Sequence, residues 1–101
     1  MAGFRVSTRA QSDLDDIWLY IARESGSIEI ANRVVDSISD RFWLLGQQPE
    51  IGRRRDDDLR PGLRSFPVAE YIILYRLDDD EEVVILYVTR GSRDLAQLVT
   101  H

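Results

Sequence analysis

Cysteine is absent from the 101 residues. That removes a disulfide framework and a thiolate metal site, and it fits a reducing compartment. Lysine is absent too: all 13 basic residues are arginine. Arginine is the better residue for bidentate and interfacial pairing, although the codon bias of a GC-rich genome is the simpler account. The single histidine is the last residue, His101, where a frayed end is the ordinary expectation. No apolar run approaches the roughly 20 residues of a membrane-spanning helix, and the first residues lack a signal-like apolar segment. A cytoplasmic location is therefore expected. Repeats, low-complexity linkers and a second domain are also missing, so residues 1–101 read as one domain. Positive charge is outnumbered: the net charge is −5, which argues against broad, strong binding to nucleic-acid phosphates.

What is present is an ordered alternation of periodicities. Phe4-Arg5-Val6 reads as a short first strand. Thr8 offers an N-cap, with Gln11 three residues on as its capping-box partner. Leu14, Ile17, Trp18, Ile21 and Ala22 then fall on one helix face. Asp13, Asp15 and Asp16 look like an acid/base or metal group, but a solvated helix start favoured by the dipole is the plainer reading. Ser25-Gly26-Ser27 breaks the helix, and Ser27 can cap the next one. Ala31, Val34, Val35, Ile38, Phe42 and Leu45 continue at spacings of three and four as far as Gly46, a natural C′ residue. So short a link makes the two helices an antiparallel hairpin. Trp43 lies off the stripe, either covering the hairpin's edge or serving as a partner anchor. Residues 47–60 read as a loop in which Arg53-Arg54-Arg55 is balanced by Asp56-Asp57-Asp58.

The remainder is strand-like. Pro61-Gly62 supplies the centre of a type II turn. Leu63 to Val68 is a strand, Ala69-Glu70 a tight reversal, and Tyr71 to Leu77 a second strand of β-branched and aromatic residues. Asp78 to Glu82 is an acidic hairpin tip without the glycine and ligand spacing of a calcium loop. Val83 to Val88 is a continuous apolar strand suited to a sheet interior. Asp94 to Thr100 can form a short helical tail. The fold expected is α+β: a short N-terminal strand, a helical hairpin and a three-stranded antiparallel meander, with the first strand joining the sheet.

Side chains alternate along a strand. Tyr71, Ile73, Tyr75 and Leu77 share one face and Ile72, Leu74 and Arg76 the other, while Val84, Leu86 and Val88 oppose Val83, Ile85 and Tyr87. Both faces are apolar, and one helical hairpin covers only one. The second face either stays open as an interaction surface or is buried by the 47–60 loop and the C-terminal tail.

The stretch PGLRSFPV followed by a Tyr-led apolar strand ending in Tyr75-Arg76 resembles the ParE branch of the RelE/ParE toxin superfamily, the toxic halves of bacterial toxin–antitoxin pairs. Asp13-Leu14, Ile17-Trp18, Tyr20-Ile21-Ala22, Pro49, Gly52-Arg53 and Gly91-Ser92-Arg93-Asp94 extend the likeness over nearly the whole chain. The resemblance implies a toxin that inhibits DNA gyrase, is neutralised by a ParD-like antitoxin in a hetero-oligomeric complex, and stabilises plasmids. It implies no cofactor and no metal. The alternatives are a RelE-like, ribosome-dependent mRNA interferase and a non-toxic antitoxin-binding module.

RelE-like enzymes place an Arg directly after the strand-leading Tyr, where this chain has Ile72. Their preceding basic positions fall near Ser65 and Pro67, their later Arg at Gly91, and their C-terminal Tyr near Gln97. ParE-like chains commonly have His where Arg90 stands. Glu50, Tyr87 and His101 are the conceivable acid/base groups, each ordinary for its setting. No catalytic residue is therefore expected. The candidate antitoxin- or target-binding residues are Arg60, Arg64, Arg76, Arg90 and Arg93, read as a cationic group at one end of the second sheet face, together with Ile72 and Leu74 on it.

Overall fold

The computed structural model describes residues 3–99. Its elements in chain order are β1 (Phe4–Val6), α1 (Thr8–Ser25), α2 (Ile28–Gln47), β2 (Arg53–Arg54), β3 (Arg64–Val68), β4 (Tyr71–Leu77), β5 (Val83–Arg90) and α3 (Leu95–Val99). One five-stranded sheet runs in the order β1-β5-β4-β3-β2. β1 is parallel to β5, and every other pairing is antiparallel. The α+β architecture and the joining of β1 to the sheet match the sequence reading. His101 and the end of the expected tail lie outside the described residues.

Local chemistry sets the helix boundaries. Ser7, not Thr8, caps α1: its hydroxyl accepts from the Ala10 amide at 3.0 Å while donating to the Leu86 carbonyl at 3.1 Å. The serine wins because the same side chain also ties the helix to β5. Gly26 ends α1 at φ 68° with its amide bonded to the Ala22 carbonyl, a left-handed closure that suits glycine. Ser27 then caps α2 as expected, accepting from the Ile30 amide. Gly46 is not a C′ residue. It lies inside α2, which continues to Gln47, and a Cβ there would press on the backbone of Gly3. Glycine at this position allows the helix to approach the start of β1.

The Pro61-Gly62 turn forms as read, with Gly62 at φ 82° and the Leu63 amide bonded to the Arg60 carbonyl. The β3–β4 reversal places Ala69 at φ 53°, a conformation usually left to glycine. In the β4–β5 tip, Asp78 accepts from the Asp80 and Glu82 amides at 2.9 Å each and from Arg5 at 2.7 Å. These bonds, that from Glu82 foremost, hold its carboxyl below the usual carboxylate range.

The helical hairpin covers one sheet face. Leu14, Ile38, Phe42 and Leu45 bury there against Tyr71, Ile73, Tyr75, Val83, Ile85 and Val88. Simple alternation had put Val88 on the other face. The register shifts at Leu74/Tyr75, so that Tyr87 pairs with Leu74 and Ile85 with Tyr75, and Leu86 is the extra residue. This β-bulge leaves Leu86 and Tyr87 both on the second face and returns Val88 to the helix side.

The second face is not open. Leu63, Leu74, Leu95, Leu98 and Val99 form a core of their own, with Leu59, Ile72, Leu86 and Tyr87 packed on it. Segment 55–63 and α3 supply the cover. Arg55 anchors the segment, pairing with Asp58 at 2.6 Å and donating to the Ser65 hydroxyl at 3.0 Å. The loop is thus self-paired as read, but it also contains β2, whose two residues bridge to β3.

Candidate functional site

The five candidate arginines do not form one group. Arg90 pairs with Tyr71 and Arg76 with Val84, five residues apart along β4, or about 17 Å at a strand's rise of about 3.4 Å per residue. Arg64 lies opposite Tyr75 on the helix side and donates to the Glu50 and Gly52 carbonyls at 3.2 and 2.9 Å. Arg60 donates to the Val99 carbonyl at 3.2 Å and so pins α3. Both are engaged in holding loops. Leu74 is fully buried and Ile72 half-buried beneath α3 and segment 55–63, so the apolar surface expected around them is already covered. Glu50 and Tyr87 are not brought together: Glu50 is exposed beside Arg64, whereas Tyr87 lies on the second face under the Arg9 guanidinium. Trp43, 66 % exposed, sets its ring edge-on to Phe4 at 5.3 Å, which places it over the β1 margin.

What the fold does assemble is a corner where α1 crosses the end of β5. Asp13, Asp16, Ile17 and Tyr20 from α1, Tyr71 from β4, and Val88, Thr89, Arg90 and Arg93 line a recess of about 190 Å³. By liquid volume that would hold on the order of six waters. Arg90 lies over the Tyr20 ring, 4.9 Å from its centroid, and reaches Glu70 only at 4.0 Å. The ring contact is worth about 0.5–1 kcal/mol at such an exposed site. Arg93 is exposed and stands between this recess and a second hollow shared with Arg9, Asp94, Gln97 and Leu98.

Tyr71 forms the floor. It is only 3 % exposed, and its hydroxyl is buried without a hydrogen-bond partner among the described residues. Burial, helped by the Glu70 charge and opposed by Arg90, pushes the phenol above its ordinary range. It is therefore a neutral O–H at physiological pH. Four residues on, Tyr75 presents the opposite case: its hydroxyl donates to the Pro49 carbonyl at 2.7 Å and accepts from the Gly52 amide at 2.9 Å.

Asp13 carries a role that the sequence did not disclose. It lies beyond the first turn of α1, where the dipole no longer explains it. Its Oδ2 accepts from the Val88 amide at 3.0 Å and its Oδ1 from Arg9 at 3.0 Å. β1 ends at Val6, leaving the outer edge of β5 bare beyond Leu86. Ser7 and then Asp13 continue the bonding that β1 began. No group of three His, Cys, Asp or Glu residues among those described could hold a metal ion, and no described helix is long and apolar enough to cross a membrane.

Comparison with known proteins places this geometry. The family model for the ParE toxin of the type II toxin–antitoxin system parDE matches residues 4–95. Toxin ParE3 of Caulobacter vibrioides is 39% identical over 92 residues, covering 90% of this chain and 89% of that one. Toxin ParE1 of the same organism is 29% identical over 94 residues, covering 92% and 96%. Among solved structures, a chain of the chromosomal ParDE system of P. aeruginosa superposes with a TM-score of 0.77 at 25% identity, covering 89% of this chain and 96% of that one. A chain of the RelBE2 toxin–antitoxin complex of Mycobacterium tuberculosis gives a TM-score of 0.61 at 28% identity, covering 88% and 96%. With a strand, a helical hairpin and a meander in the order these relatives share, and a family match spanning nearly every element described, the chain belongs to the ParE family of type II toxins.

Proposed function

We propose that this chain is the toxin of a type II pair, neutralised by a ParD-like antitoxin, and that its target is DNA gyrase. The observation that carries the proposal is the match to the ParE model across residues 4–95, joined by 39% identity to a ParE toxin. The fold does not separate gyrase inhibition from mRNA cleavage, since a RelE toxin of Caulobacter vibrioides is also 29% identical over 84 residues. The side chains are the better guide. Cleavage of RNA calls for groups that activate a 2′-hydroxyl, stabilise the phosphorane and protonate the leaving oxygen. Ile72 and Gly91 stand at two of the positions where RelE-like enzymes carry arginine, and Gln97 where they carry tyrosine. The reading is therefore a toxin that acts by binding and is not an enzyme.

Controlled expression in bacteria carrying an SOS-response reporter and a translation reporter tests this. Early SOS induction with translation still running is the expected result. A translation arrest that precedes any SOS signal would replace the gyrase reading with an interferase. Silence in both would leave a module that only sequesters antitoxin.

A further inference from the structure

The recess at the end of β5 contains one buried donor without an acceptor and two exposed guanidiniums with N–H groups to spare. Tyr71 keeps a buried O–H with no acceptor. Arg90 offers its guanidinium to Glu70 only at 4.0 Å, both side chains being substantially exposed. Arg93 makes no side-chain hydrogen bond or ion pair with any described residue. A buried polar hydrogen without a partner costs more than a satisfied one contributes, so native chains seldom retain one without a use.

The walls narrow the choice of ligand. Ile17 and Val88 are apolar and Tyr20 is aromatic, a lining suited to a short methylene stem. Asp13 and Asp16 stand on the same rim. Asp13 is already bound to Arg9 and the Val88 amide. Two carboxylates so close, on a chain of net charge −5, work against a phosphodiester strand or a phosphate carrying nearly two charges. A single carboxylate matches better. It accepts from a guanidinium fork and from a phenol at once, and it brings one charge into a recess of about 190 Å³. Glu70 shows the preference in weak form, leaning toward Arg90 from the neighbouring turn.

We propose that this recess is a carboxylate-binding site, with Tyr71, Arg90 and Arg93 as donors, and that its occupant is one Asp or Glu side chain of the neutralising antitoxin. The assignment of the partner rests on the antitoxin reading above. The chemistry of the site does not, and it can be tested on the free chain. The full-length protein, labelled at tyrosine Cζ and arginine Nε, is titrated by NMR with N-acetyl-glutamate N′-methylamide. Parallel titrations use the glutamine analogue and inorganic phosphate.

Saturable shifts of Tyr71, Arg90 and Arg93 are expected with the glutamate compound, with a Kd on the order of 1–10 mM for so small a ligand. The glutamine analogue should shift none of them. Tyr71→Phe retains the ring and its packing, and should weaken the glutamate compound about tenfold, the usual weight of a hydrogen bond to a charged group. Glu70→Gln removes the internal competitor and should tighten binding about twofold to fivefold. Equal binding of the glutamine analogue, or no saturable shift, overturns the proposal. So does phosphate binding tenfold or more tighter than the glutamate compound, which would point to a phosphoryl ligand. A failed titration beside intact neutralisation by an antitoxin in cells would remove this site and leave the toxin reading standing.

Discussion

Tyr71 and Tyr75 lie four residues apart on β4, on the same sheet face and in the same core. Removing the hydroxyl from each should nonetheless change stability in opposite directions. At Tyr71 the hydroxyl is buried and unpartnered, and a buried group left without a bond costs about 1–3 kcal/mol. Tyr71→Phe deletes that cost and retains the ring, so the free chain should gain about 1 kcal/mol. At Tyr75 the hydroxyl links the Pro49 carbonyl to the Gly52 amide. Tyr75→Phe breaks both bonds and strands a buried amide, and should cost about 1–3 kcal/mol. For a domain of this size each kcal/mol moves Tm by roughly 4–8 °C. Paired urea and thermal unfolding of the three proteins would therefore separate the two variants by about 2–4 kcal/mol, or roughly 8–30 °C in Tm. If Tyr71→Phe loses as much as Tyr75→Phe, the Tyr71 hydroxyl has an acceptor and the recess has lost its central donor. A gain at Tyr71 together with weaker carboxylate binding would mark a group retained for recognition at the expense of stability.

Other perturbations have equally definite outcomes. Asp13→Ala removes the acceptor of the Val88 amide and should lower stability by about 1–3 kcal/mol, with faster hydrogen exchange at Val88. Gly52→Ala drives a Cβ into the Tyr75 hydroxyl and should cost at least about 1 kcal/mol in a denaturant melt. Ile38→Asp places a charge at a fully buried point of the helix–sheet core and should abolish cooperative unfolding, since several kcal/mol are at stake against a total of about 5–15. Asp56, Asp58 and Asp78 all have folded-state pKa values below the ordinary carboxylate value: Asp56 first through the Gly62 amide, Asp58 through Arg55 and Asp78 through the Glu82 amide. Their contribution is complete above the unfolded carboxylate pKa and disappears as pH falls through the depressed folded values. Acid titration should thus show stability declining below about pH 4, less steeply in Asp78→Asn.

Much of the architecture was legible because it is local. The helix faces, the Ser27 cap, the Pro61-Gly62 turn and the limits of β4 each follow from residues within a few positions of one another. The readings that failed depend on pairings between distant segments. β2 is two residues long, too short to show alternation, and exists only because β3 lies beside it. The bulge at Leu86 follows from the β4 register, and nothing in VVILYV marks it. The covering of Leu74 requires Leu63 and Leu98 to arrive from opposite directions in the sequence. The candidate site divides the same way. Arg90 and Arg93 were identified from their place after the last strand, whereas grouping them with Arg60, Arg64 and Arg76 ignored the length of the strands. Tyr71 was visible only as a strand-leading tyrosine. Its value as a donor depends on Tyr20 and Ile17 of α1 closing over it.

The parallel pairing of β1 with β5 has a consequence in time. Phe4, Arg5 and Val6 align with Val83, Val84 and Ile85, and Arg5 reaches Asp78 and Glu82. The first strand to be synthesised is therefore completed by the last. Synthesis at about 5–20 residues per second takes on the order of 4–15 s to travel from β1 to β5. Throughout that interval β1 has no strand to pair with, the helical hairpin lacks the central strand it packs on, and the edge that Ser7 and Asp13 serve does not exist. The same long loop closure makes the final step slow relative to helix formation. A chain that stops before residue 83 lacks β5 and α3, and with them the recess and the second core. Translation itself thus acts as a timer on the emergence of the folded toxin.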